Sequence, residues 1–105
     1  SVGQNHASTA ISYNNKGLIL NEMNQYEEAL ACYIKALDIK EKLLGKDHLS
    51  TALSYHSMAS VLQVIGECEQ ARFYLRKTLI IRQKLLGKAH PETIAVQEQV
   101  EMMTK

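Results

Sequence analysis

Apolar positions along the chain recur at spacings of three and four, and Gly or Asn interrupts them at regular intervals. Ala10, Tyr13, Gly17 and Leu20 share one face of a helix predicted over about 7–23. Asn24 follows, a residue type that tolerates the left-handed conformation ending a helix. A second helix, about 25–44, opens with Glu27 and Glu28, where the helix dipole favours negative charge. Its buried face is expected to hold Ala29, Tyr33, Ala36, Leu37 and Leu44. Lys40 and Lys42 suit the other end of the dipole, and Gly45 closes the helix. The plan returns at about 49–65 and 67–86, with Gly66 at the first stop and Glu67 and Glu69 at the next start. A fifth helix is predicted from Pro91, a residue suited to the first helical position, to about 103.

The repetition is exact in period. A shift of 42 residues superposes His6, His48 and His90, then Thr9, Thr51 and Thr93, then Gly3, Gly45 and Gly87. It also superposes Tyr13 on Tyr55, Leu20 on Leu62, Ala29 on Ala71, and the run Leu43–Lys46 on Leu85–Lys88. Gly17 or Ala59, with Ala29 or Ala71, would let the two helices of a pair approach closely, while Tyr13, Tyr33, Tyr55 and Leu75 fill the space beside them. One helix pair cannot bury its own apolar face, so neighbours must stack.

Composition narrows the class further. The chain has 105 residues, 46 % hydrophobic and 22 % charged, as expected of one folded domain or part of one. Net charge is +1, with 12 Lys+Arg against 11 Asp+Glu interspersed, so there is no clustered basic face for nucleic acid. No apolar run is long enough for a membrane span, and no signal peptide is visible. Cys32 and Cys68 belong to no CxxC or Cys/His pattern, which suggests reduced thiols in a cytoplasmic protein. The chain reads as opening partway through a repeat, as an excised fragment would.

These positions resemble the tetratricopeptide repeat, whose usual period is about 34 residues. Its aromatic–small–large–Ala–aromatic pattern reads here Tyr13, Gly17, Leu20, Ala29, Tyr33, Ala36, and again Tyr55, Ala59, Leu62, Ala71, Leu75, Thr78. The longer period, with LLGKDH at 43–48 and LLGKAHPET at 85–93, is similar to the kinesin-light-chain subclass. The resemblance implies an all-α fold, a right-handed α-solenoid of antiparallel helix hairpins. Repeat 1 would cover about 6–45 and repeat 2 about 48–87, followed by a capping or half-repeat helix at about 91–103, all in one array. Lys16 departs from the Leu usual in the family, while the second copy has Met58. Gln97 and Glu101 stand where Tyr13 and Gly17 do, so the fifth helix draws its apolar residues from Ile94, Val96, Val100 and Met103.

The resemblance also implies a concave groove lined by the first helix of each pair. Carried over by register, its residues would be Ile11, Asn14, Leu18, Asn21 and Glu22, then Leu53, His56, Ser60, Gln63 and Val64, then Glu98 and Met102, with Asn15 and Ser57 adjacent. Asn amides on such a wall can donate to and accept from a peptide backbone at once. The plainer reading is that these are solvated polar positions. There is no Lys-rich wall of the kind that clamps a terminal carboxylate.

Candidate chemistry is thin. The three periodic His would stand roughly a helix-pair thickness apart, about 10 Å per helix, too far to share a metal at ~2 Å bonds. Each precedes a helix and is better placed to cap it or to pack against the neighbouring loop. No nucleophile has a base beside it, so neither enzyme activity nor a cofactor is expected. Ordinary burial is expected for both cysteines. A protein- or peptide-docking module within a larger scaffold or adaptor therefore leads. The alternative is a structural or self-associating segment, since arrays of this kind usually need about three repeats for stability. Val96, Val100 and Met103 are expected to be exposed at the open edge, where homodimerisation through the terminal helices could cover them.

Overall fold

The computed structural model describes residues 7–103. Within them lie five helices and no strand: α1 (Ala7–Glu22), α2 (Tyr26–Leu44), α3 (Leu49–Val64), α4 (Cys68–Leu86) and α5 (Pro91–Met103). The expected elements are all present, their ends moved by a residue at most. Gly3 and His6 of the sequence repeat lie outside the described residues. Three- and four-residue links force consecutive helices back on one another, and each helix packs chiefly on the next.

The links repeat with the period. Asn24, with φ 62°, and Gly66, with φ 92°, take the left-handed conformation at equivalent positions. At each, the following amide reaches back across the turn, Gln25 N to Leu20 O and Glu67 N to Leu62 O, both at 2.8 Å. Asn24 N to Asn21 O and Gly66 N to Gln63 O complete the pair of bonds that satisfies the last carbonyls of α1 and α3.

Two core clusters follow from the stacking. The first joins Ala29, Tyr33 and Leu37 of α2 to Ala52, Tyr55, Met58 and Val61 of α3, so it sits between the repeats. The second joins Ala59 and Leu62 of α3, Ala71 and Leu75 of α4, and Val96 and Val100 of α5. Val96 and Val100 are therefore buried against the second hairpin, not exposed at an open edge, and Met103 is half-buried beside them. Each buried valine is worth about 1.5–3 kcal/mol, enough to seat α5 firmly.

The residue changes around the period track what each helix faces. Lys16, Met58 and Val100 are equivalent; Met58 and Val100 are buried under the preceding hairpin, while Lys16 is exposed. Gly17, Ala59 and Glu101 are equivalent about 100° further round, on the side where α2 packs on α1 and α4 on α3. Gly17 and Ala59 are buried, whereas Glu101 lies exposed and accepts a bond from Gln97 Nε2 at 3.1 Å. Gln97 thus closes the outer side of α5 with polar groups.

Two further burial expectations change. Leu44 is 44 % exposed in the last turn of α2. Cys68 is exposed at the start of α4, while Cys32 is buried. Lys40, read from the sequence as a charge suited to the helix dipole, is only 7 % exposed; its Nζ donates to Ser50 O of α3 at 3.3 Å, and burial lowers its pKa. Its counterpart Arg82 is likewise buried and lies 3.9 Å from Glu92, the residue equivalent to Ser50. A cation at this position props each hairpin against the helix that follows it.

Candidate peptide-binding groove

The candidate wall is set by helical phase. At about 100° per residue, positions 11, 14, 15, 18 and 22 share a stripe on α1, and the 42-residue register carries it to 53, 56, 57, 60 and 64 on α3 and to 95, 98, 99 and 102 on α5. The buried residues of these helices, among them Ala10, Gly17, Tyr55 and Ala59, occupy other faces. The stripe consequently projects outward: Ile11, Leu18, Leu53, Val64 and Met102 are all exposed apolar side chains. Asn15, Glu22, Ser60, Gln63 and Glu98 are exposed as well, whereas Asn14, Asn21, His56 and Ser57 are half-buried.

Part of the stripe closes into a cleft of about 530 Å³ between α3 and α5. Leu53, His56, Glu98 and Met102 meet there with Ala95, Val96, Gln99, Arg82 and Glu92. His56 Nε2 donates to Gln99 Oε1 at 3.0 Å, tying the two helices across the cleft. Ser60 Oγ donates to the His56 carbonyl one turn back. The floor is apolar, through Val96 and Ala95, and the rim carries amide, imidazole, carboxylate and thioether groups.

The α1 members are not gathered into this cleft. Ile11 instead borders a smaller pocket with Ala10, Lys40, Leu43, Leu44 and Ser50. Asn14 keeps its Oδ1 buried and without a hydrogen-bond partner. Sequence reasoning missed Gln99, although it lies 42 residues past Ser57, because the polar run on α5 hides the register. It also missed Arg82 and Glu92, which reach the cleft from outside the first-helix stripe.

The periodic histidines cap helices. His48 Nδ1 accepts from Ser50 N at 3.0 Å, and His90 Nδ1 accepts from Glu92 N at 3.2 Å. Each ring thereby satisfies one of the free amides at the start of α3 and α5. Among the described residues no group of three or more His, Cys, Asp and Glu could hold a metal ion. Nor is any described helix long and apolar enough to cross a membrane. The side chains around His56 are suited to recognition: amides and a hydroxyl that hydrogen-bond, flanked by apolar contacts.

No curated protein matches the chain. A family model does: that of the tetratricopeptide repeat covers residues 8–79, from the first turn of α1 well into α4. With two hairpins in 42-residue register and close packing at Gly17 and Ala59, the chain belongs to the tetratricopeptide repeat family, a family of protein–protein interaction modules.

Proposed function

We propose that the chain is a docking module that holds an extended peptide or a partner helix along the α1–α3–α5 surface, as part of a larger scaffold or adaptor. The observation that carries this reading is the cleft between α3 and α5, with an apolar floor and the His56–Gln99 pair at its rim. The 42-residue period supports a place in the kinesin-light-chain-like subclass, and two free cysteines fit a cytoplasmic setting. Photo-crosslinking of an extended-peptide library tests it directly. Crosslinks should concentrate on Leu53, His56, Gln99 and Met102; binding confined to any other face would sink the reading.

Self-association is a second reading, favoured by one observation. Ile19 is 58 % exposed, whereas its counterpart Val61 is wholly buried in the cluster between the repeats. A second copy, or a further hairpin, laid on that side of α1 would bury it. Light scattering showing a monomer at all concentrations would remove the self-associating form.

A further inference from the structure

The charges of the molecule are not spread evenly over its two layers of helices. Lys16 is the one Lys or Arg on α1, α3 and α5 together. It lies five residues from Ile11, about 140° round the helix, and so off the groove stripe. The stripe itself carries Glu22 and Glu98, both exposed. The cation that does reach the cleft, Arg82, is 9 % exposed and lies 3.9 Å from Glu92, so it is already committed. The same stripe also presents exposed apolar side chains, Ile11 at 57 %, Leu53 at 46 % and Met102 at 75 %.

We propose that this surface selects a basic segment of a partner protein in which Lys or Arg alternates with apolar residues. The inference rests on the groove reading above and adds the sign of the ligand. A ligand carboxylate on this wall would meet Glu22 or Glu98 with no free Lys or Arg among the described residues of the wall to receive it, a like-charge contact that excludes partners. A ligand cation meets complementary charge at Glu22 or Glu98, while the ligand's apolar side chains cover Ile11, Leu53 and Met102. Because Glu22 and Glu98 are exposed, they act mainly through attraction at a distance, and binding should weaken with salt.

The test is a fluorescence-anisotropy titration with three peptides of equal length and identical Leu positions, carrying Lys, Gln or Glu between them. The Lys peptide should bind at least about tenfold tighter than the Glu peptide, a difference of about 1.4 kcal/mol. The double variant Glu22→Gln/Glu98→Gln should erase most of that preference, and Glu98→Lys should turn it toward the Glu peptide. Both sites are exposed, and a circular dichroism melt confirms that the variants fold. Equal or tighter binding of the Gln or Glu peptide, with hydrogen-exchange protection on α3 and α5, overturns the charge inference and leaves the groove standing. If the Lys peptide binds but protects only α4, or if no peptide in the series protects α3 and α5, the groove reading and the charge inference fall together.

Discussion

The ring of Tyr33 lies against Gly17 so closely that a methyl group on Gly17 would stand 2.6 Å from Cε1 and 2.8 Å from Cδ1. Tyr33 is 1 % exposed and cannot swing aside. One period later the same contact is made by Ala59 and Leu75, both buried. A small residue facing a large one in the first hairpin becomes a larger residue facing a smaller one in the second.

Gly17→Ala should therefore destabilise the chain despite its better helix propensity. Overpacking costs about 1–3 kcal/mol, against about 1 kcal/mol gained from replacing a helical Gly. Tyr33→Leu alone removes buried volume and also costs. Combined, the two changes rebuild the Ala59–Leu75 contact in the first hairpin, so the double variant should be more stable than the sum of the single effects predicts. Urea unfolding of the four proteins gives the coupling, and strict additivity would show that the pair does not pack as described.

The helix-capping role of the periodic histidines is separable from any ligand role. Removing the acceptor in His48→Ala strands the Ser50 amide at the start of α3 and should cost about 1 kcal/mol, within the range for lost N-caps. His48→Asn or His48→Asp supplies an oxygen acceptor at the same place and should restore most of it. Thermal melts of the three variants decide this, and an alanine variant as stable as the parent would contradict it.

The fold was legible in the sequence because its period is written in the residues that pack. Ala29 and Ala71, Leu20 and Leu62, and the stops at Asn24 and Gly66 fix both helices of each pair and the link between them. Burial at the ends of elements was not legible. Periodicity places Leu44 on the buried face of α2, yet it stands 44 % exposed in the last turn of that helix. Lys40 read as a charge suited to the helix dipole, and only the position of the next helix shows it buried. Val96 and Val100 read as exposed at an open edge because Gln97 and Glu101, standing where Tyr13 and Gly17 do in the first copy, hide that α5 packs on the second hairpin. The candidate wall followed from register alone, and the cleft that closes only between α3 and α5 did not.

Alkaline solution should find the seam between the two hairpins. Tyr55 of α3 donates through its hydroxyl to Glu41 Oε2 of α2 at 2.6 Å, and burial together with that carboxylate raises its pKa well above the ordinary phenol value. Burial raises Tyr33 in the same direction. The folded chain keeps these protons where the unfolded chain releases them, so the stability they contribute is complete below about pH 10 and is lost as pH rises beyond it. The melting temperature should fall steeply from pH 9.5 to 11, taken as roughly the window set by the ordinary tyrosine pKa. Tyr55→Phe, though less stable at neutral pH, should fall less steeply; parallel curves would separate Tyr55 from the alkaline loss.

Lys40 works in the opposite sense and gives the sharpest test of the inter-repeat contact. Its side chain is buried, and among the described residues its hydrogen bond is a long one to Ser50 O, with no carboxylate paired to it. Burial lowers its pKa, so the folded chain bears a desolvation penalty whenever Lys40 is charged. Lys40→Met keeps most of the stem that packs between α2 and α3 and removes the charge, and should stabilise the chain by up to about 1 kcal/mol at neutral pH. The penalty is fully present below the folded pKa and is relieved as pH rises through it toward the ordinary lysine value. The advantage of the methionine variant should accordingly shrink on the alkaline side. Urea unfolding of both proteins at neutral and alkaline pH measures the difference. A destabilised Lys40→Met would mean that the bond to Ser50 O outweighs the cost of burying the charge.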